Sequence, residues 1–80
     1  MINAKQQFKK AFGSAVNLAF PLPLKYGVTK NNSYFFEIAK GYYDAYYVTI
    51  ITLNGIKRND LNHSFDSYAE CEHYTNNLEK

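Results

Sequence analysis

The chain has 80 residues, of which 46% are hydrophobic, 20% charged and 18% aromatic, with eight Tyr and six Phe. This length predicts one domain over residues 1–80 and leaves little room for a catalytic cleft with its own scaffold. Cys71 is the single cysteine, which excludes an intramolecular disulfide and favours a reducing cytoplasm. No apolar run is long enough to span a bilayer, and the lysine-bearing N-terminus resembles a signal peptide only faintly.

The formal net charge is +2, but the charge is unevenly distributed along the chain. Residues 1–36 carry five lysines and no acid, giving +5, whereas residues 37–80 carry four basic residues against seven acids, giving −3. Such asymmetry can steer a charged partner toward one side of a molecule. It is equally compatible with a basic element and an acidic element that attract each other within the fold.

Residues 3–19 predict an amphipathic helix with a basic outer side. Its apolar residues recur at helical spacing: Phe8, Phe12, Val16 and Ala19. Asn3 suits the N-cap, and the prolines at 21 and 23 would end the helix. A basic amphipathic helix can also lie on a membrane or in a partner's groove. We expect its apolar stripe to be core.

A loop and three strands follow this helix. Residues 21–33 contain two prolines, Gly27 and a polar stretch, which predicts a loop. Aromatic and β-branched residues then predict strands, with a turn over residues 41–44 and a hairpin turn at Asn54-Gly55. The predicted strands cover residues 34–40, 46–53 and 56–63.

The C-terminal segment has a clear helix start at Ser67. Glu70 follows three residues later, which fits a capping box, and Asp66 is a competing cap. The apolar stripe of this second helix consists of Tyr68, Cys71, Tyr74 or Thr75, and Leu78. The sequence therefore predicts an α+β fold, a three-stranded antiparallel sheet with an N-terminal and a C-terminal helix, in the chain order α-β-β-β-α.

The Asn54-Gly55 turn assigns side chains to the two faces of the sheet. A two-residue turn pairs Leu53 with Ile56 and Ile51 with Arg58. The face that we expect the helices to cover carries Phe36, Ile38, Val48, Ile50, Leu61 and Phe65. The opposite face carries Tyr47, Thr49, Ile51, Leu53, Ile56 and Arg58. An exposed face this apolar indicates a partner-binding surface, unless the first helix covers it instead.

The sequence contains no pattern that predicts catalysis. Phosphate loops, dinucleotide fingerprints and nucleophile elbows are absent. Cys71 and His73 lie two residues apart on a predicted helix, where side chains diverge, and Glu70 with His73 makes at most half a metal site. We therefore expect no enzyme activity, no metal and no cofactor, and we interpret Cys71 as a core residue.

Residues 47–76 also carry a family resemblance. The run Tyr-Val-Thr-Ile-Ile-Thr-Leu-Asn-Gly-Ile-Lys-Arg is followed by Leu61, by Phe65-Asp66-Ser67 and by Glu70. This pattern resembles the sheet-plus-helix DNA-binding domains of plant ethylene-response factors and of tyrosine-recombinase arm-binding modules, in which a three-stranded sheet lies in the major groove. The resemblance implies that Lys57 and Arg58 contact DNA beside Tyr47 and Thr49.

Two function classes follow from these features. In size and style the chain resembles very small phage-encoded inhibitors, including anti-CRISPR proteins, which implies a stoichiometric inhibitor or adaptor that binds a larger protein assembly in the host cytoplasm. The alternative is a nucleic-acid-binding module, in which Lys5, Lys9 and Lys10 contact phosphates. A homodimer through the apolar sheet face or a free strand edge is a further, weaker possibility.

Overall fold

The computed structural model describes residues 3–13 and 22–78. The elements follow in the order α1 (Ala4–Phe12), β1 (Leu22–Val28), β2 (Tyr34–Lys40), β3 (Tyr46–Thr52), a 3-10 turn (Asn59–Leu61), β4 (His63–Phe65) and α2 (Tyr68–Asn77). The fold is α+β, and these strands form one antiparallel sheet in the order β1-β2-β3-β4. The predicted α+β class is confirmed, but the sheet has four strands rather than three.

The additional strand is β1, which lies within the predicted loop. It pairs with β2 from Leu22 opposite Lys40 to Val28 opposite Phe35, and the register shifts between Pro23 and Lys25. Proline is tolerated on an edge strand and at a bulge because neither position requires its missing N–H. Pro23, which helped to predict a loop, therefore lies on the edge strand of the sheet, whereas Pro21 lies outside the described residues.

Both helices begin where their caps predict. The Asn3 side chain accepts a hydrogen bond from Gln6 N, and Ser67 accepts one from Glu70 N. α1 ends at Phe12, earlier than the predicted residue 19, because Gly13 adopts a φ of 62° at the C-cap. The rest of the predicted stripe, Val16 and Ala19, lies outside the described residues.

Each face of the sheet packs against one helix. The α1 side holds the buried cluster Ala4, Phe8, Phe35 and Ile51. The α2 side holds the buried cluster Tyr34, Phe36, Ile38, Val48, Ile50 and Cys71. Because neighbouring strand residues point to opposite faces, the sheet separates the two helices. The expectation that one face stays open is wrong at Ile51, which is 0% exposed beneath α1.

The β3–β4 turn has a different geometry from the predicted two-residue hairpin. Gly55 N donates to Thr52 O and Thr52 N donates to Ile56 O, so three residues form the loop, with Gly55 at a φ of 88°. The register therefore moves by one residue, and Ile51 lies opposite Lys57 rather than Arg58. This shift places the Lys57 side chain on the α1 side and the Arg58 side chain on the α2 side.

The predicted return strand over residues 56–63 is interrupted. The 3-10 turn follows the bridge at Lys57, and the Asn62 side chain accepts the hydrogen bond from Ile50 N at 2.8 Å. β4 then pairs with the first three residues of β3, with Val48 opposite His63. Near the start of β3, the Tyr47 side chain remains 39% exposed on the α1 side of the sheet.

Candidate protein-binding surface

The turn between β2 and β3 is built on two residues in the left-handed region. Tyr43 has a φ of 56° and Asp44 a φ of 61°, and Ala45 N donates to Tyr42 O at 3.0 Å. Positive φ at both central positions is the type I′ pattern, which normally recruits Asn, Asp or Gly. A tyrosine in this conformation costs free energy, and such strain is concentrated at functional sites.

Three tyrosines are exposed around this turn. Tyr43 is fully exposed, Tyr42 is largely exposed, and their ring centroids lie 6.4 Å apart. The ring of Tyr47 is 39% exposed and covers Gly41, where a Cβ would lie 2.0 Å from the ring. Gly41 thus allows Tyr47 to lie flat against the base of the turn.

A shallow hollow continues this aromatic surface across β3 and β4. It has a volume of about 530 Å³ and is lined by Tyr47, Val48, Thr49, Asn62, His63 and Ser64. Hydroxyl and amide groups therefore lie beside the Tyr47 ring. We call Tyr42, Tyr43, Tyr47 and this hollow the tyrosine surface.

Charged side chains at the tyrosine surface are few and balanced. Lys40 Nζ lies 3.9 Å from Asp44 Oδ1 and 5.7 Å from the centroid of the Tyr46 ring. The two charges offset each other, and an exposed pair of this kind adds little stability. The surface therefore presents aromatic area and hydrogen-bonding groups rather than net charge.

The residues predicted to bind a partner do not form one site. Tyr47 and Thr49 belong to the tyrosine surface, whereas Ile51 is buried beneath α1. Leu53 and Ile56 are exposed at the β3–β4 turn, at the other end of β3. The structure thus divides the predicted site in two, with a core residue between the halves.

The two basic residues of the β3–β4 hairpin have different surroundings. Arg58 donates two hydrogen bonds to the Asp60 carboxylate, at 2.9 and 2.8 Å, and one to the Tyr34 hydroxyl at 3.2 Å. The hydrogen bond from Arg58 lowers the pKa of Asp60. Lys57 is exposed, and its Nζ lies 4.6 Å from the centroid of the Phe12 ring. Arg58 therefore stabilises the local fold, while Lys57 extends the surface of α1.

The lysines of α1 form a separate basic surface. Lys5, Lys9 and Lys10 are exposed, and α1 carries no acidic residue. Among the described residues, no carboxylate lies within ion-pair distance of these lysines or of Lys57. The acids Glu70 and Glu72 lie on α2, across the sheet, where Glu72 pairs with Lys25 at 3.1 Å. The basic and acidic helices therefore do not attract each other directly.

Sequence reasoning missed Tyr42 and Tyr43. The signal was present, because a turn predicted over residues 41–44 contains two aromatic residues where glycine or asparagine is usual. Type I′ geometry disfavours tyrosine, so its presence distinguishes this turn from an ordinary hairpin turn.

Burial shifts the pKa of titratable groups of the described chain, among them Cys71 and Tyr26. Burial raises the pKa of the Cys71 thiol, and the nearby Glu70 carboxylate raises it further. Burial likewise raises the pKa of Tyr26, beside Glu37. Within residues 3–13 and 22–78, no three His, Cys, Asp or Glu side chains cluster closely enough to hold a metal ion.

Over the same ranges, neither helix has the length and apolar character needed to cross a membrane. Comparison with protein-family models, with curated proteins and with solved structures gives no match to this chain.

Proposed function

We propose that this protein is a non-enzymatic binding module that attaches to a protein partner through the tyrosine surface. The observation that carries the proposal is Tyr43, a fully exposed aromatic side chain on a residue with a φ of 56°. Core packing and backbone preference do not explain a tyrosine at this position, because the side chain lies against the exposed ring of Tyr42 rather than in the core, and glycine would fit the backbone better. Binding would explain why it is present.

The chemistry of the surface favours a protein over a nucleic acid. Tyrosine is enriched among residues that dominate binding energy at protein interfaces, because it combines a large contact area with a hydrogen-bonding group. Phosphate recognition requires unpaired cations, but Lys40 is already engaged by Asp44 and by the Tyr46 ring. The hydroxyl and amide groups of the adjacent hollow suit the polar rim of a protein interface.

A stoichiometric inhibitor or adaptor of a larger protein assembly is the role that we propose for this module. Such a role requires no chemistry, only a surface that occupies part of the partner. A stable complex buries about 800 Å² on each side, and the end of a small sheet with its turn can approach that area. The complex should therefore form with a fixed ratio of subunits.

Capture from a nuclease-treated lysate of the host cell tests the proposal. Tagged wild-type protein, a Tyr43→Gly variant and a Lys9→Gln variant are compared, since Lys9 is exposed on the basic helix and remote from the turn. We expect wild type and Lys9→Gln to retain the same protein in a fixed ratio, and Tyr43→Gly to retain at least tenfold less. Retention of nucleic acid alone, lost on nuclease treatment, would contradict the proposal.

The second candidate function is nucleic-acid binding by the basic surface of α1. It is supported by the three exposed lysines of a helix without acids and by Lys57, which lies against Phe12 of the same helix. Arg58 contributes less than the family resemblance implies, because Asp60 occupies its guanidinium.

Salt dependence distinguishes this second function. Each phosphate contact on duplex DNA changes the logarithm of the affinity by about 0.9 per log unit of salt, so four lysines predict a slope of about −3.6. A Lys9→Gln variant should reduce the slope by about one contact, while Tyr43→Gly should leave it unchanged. Absence of binding to duplex DNA, single-stranded DNA and RNA at low salt would eliminate this candidate.

A further inference from the structure

A groove opens at the end of the sheet opposite the tyrosine surface. It lies between α1 and the ends of β1, β2 and β3, and its volume is about 870 Å³. The lining residues from α1 and its cap are Asn3, Ala4, Gln7 and Lys10. Those from the sheet and its turns are Tyr26, Gly27, Val28, Asn32, Phe35, Leu53 and Asn54. A volume of this size falls within the range of small-molecule sites.

The lower part of the groove is apolar and partly open to water. Val28 and Leu53 each leave 43% of their surface exposed, while Phe35 and Ala4 beneath them are buried. Val28 is on the edge strand and Leu53 begins the β3–β4 turn, so the two side chains approach the groove from different strands. An apolar ligand segment lying between them would remove both from water.

The rim of the groove has one charge, and it is positive. Lys10 is the sole charged residue among those that line the groove, and no carboxylate of the described chain pairs with it. Asn32 and Asn54 also line the groove, and both residues are exposed. An ammonium group and amide N–H groups beside one apolar groove are suited to a ligand with an anionic end.

Gln7 adds a buried acceptor to this site. Its side chain is 6% exposed, and Nε2 donates to Leu53 O at 2.8 Å, which fixes the orientation of the amide. Oε1 on the other side of that amide is buried and has no hydrogen-bond partner among the described residues. An unsatisfied buried acceptor is costly, and an N–H donor brought to Oε1 would remove that cost. Gln7 and Lys10 are three residues apart and share one side of α1.

We propose that this groove binds a small amphipathic carboxylate with an N–H donor close to the carboxylate, the chemistry of an N-acyl amino acid. The acyl chain lies between Val28 and Leu53, the N–H donates to Gln7 Oε1, and the carboxylate pairs with Lys10. Gln7 and Lys10 are neighbours on the surface of α1, where Cβ atoms three residues apart are about 5–6 Å from each other, and this short separation suits a ligand whose N–H and carboxylate are one carbon apart. This site is independent of the proposed protein-binding function.

The test uses N-octanoylglycine and amide NMR of the isotopically labelled protein. Two matched probes accompany it: octanoate, which lacks the N–H, and the methyl ester of N-octanoylglycine, which lacks the charge. We expect N-octanoylglycine to shift the side-chain amide signals of Asn32 and Asn54 with a dissociation constant of about 1 mM or lower. Octanoate and the methyl ester should each bind roughly fivefold more weakly.

Two lysine variants serve as controls for position. Lys10→Gln should weaken N-octanoylglycine about fivefold, whereas Lys9→Gln, one residue away and outside the groove, should not change its affinity. Thermal melting verifies that both variants fold. Equal binding of the acid and its methyl ester, equal effects of the two lysine variants, or no shift at Asn32 and Asn54 would each overturn the proposal.

Discussion

Replacing Tyr43 with glycine should make the protein more stable and a poorer binder. Tyr43 has a φ of 56° and is fully exposed, so the substitution removes no buried packing, only the exposed ring contact with Tyr42, and it relieves an unfavourable backbone conformation. Destabilisation is the usual result of replacing a tyrosine with glycine. The opposite sign is therefore a specific consequence of the turn geometry.

The size of the gain follows from two opposing terms. A non-glycine residue in the left-handed region costs about 1–2 kcal/mol, and glycine removes this cost. Glycine also gives the unfolded chain more freedom, which offsets about 0.4–1 kcal/mol. With each term at the middle of its range, the net gain in the free energy of unfolding is about 0.8 kcal/mol, equivalent to a rise of about 3–6 °C in Tm for a domain of this length.

Thermal melts of three proteins measure this gain: wild type, Tyr43→Gly and Tyr42→Gly. Tyr42 is the matched control because it is the neighbouring tyrosine of the same turn and does not have a positive φ. We expect Tyr42→Gly to lower Tm, since it loses side-chain contacts without relief of strain. If Tyr43→Gly lowers Tm as much as Tyr42→Gly does, the strain argument is wrong, and with it the main support for the tyrosine surface.

Three further predictions concern the core and its titratable groups. Ile50→Ala and Ile51→Ala should each lower the free energy of unfolding by about 2–5 kcal/mol in denaturant titrations, because both residues are fully buried, and a benign Ile51→Ala would mean that α1 does not cover this face. Cys71 should react with a thiol reagent at least a hundredfold more slowly in the native protein than in denaturant, and equal rates would contradict its burial. Folding raises the pKa of Tyr26, so the folded state favours the neutral phenol. The neutral phenol therefore contributes to the free energy of unfolding at pH values below the unfolded pKa of 10.0, and this contribution is lost as pH rises above that value. Relative to wild type, Tyr26→Phe should therefore lose less stability between pH 9 and 11 in melts, and identical curves would refute this assignment.

Features determined by neighbouring residues could be predicted from the sequence. Both N-caps depend on side chains three residues apart, and β2 and β3 are dense in aromatic and β-branched residues. β1 could not be predicted because its proline, Pro23, is acceptable only on an edge strand or at a bulge, and edge position is decided by the assembled sheet. Local rules therefore identified both helix starts and the two central strands, but not the edge strand β1.

The candidate site was predicted less well, for two physical reasons. Asn54-Gly55 is compatible with a two-residue and a three-residue loop, and the choice exchanges the faces of Lys57 and Arg58. The burial of Ile51 depends on the docking of α1, whose partners are distant in sequence. Tyr43 could have been recognised from its position in a turn, whereas the separation of Tyr47 from Leu53 by a buried residue required the tertiary structure.

The position of α1 constrains the order in which the protein can assemble during synthesis. Each strand is hydrogen-bonded to its neighbour in sequence, so the sheet can grow hairpin by hairpin as the chain emerges. α1 is made first, yet Gln7 hydrogen-bonds to a residue 46 positions later, and Phe8 packs on Phe35 and Ile51. The apolar side of α1 must therefore wait, exposed, until β3 has left the ribosome. During that interval α1 exposes apolar surface of the kind that promotes aggregation.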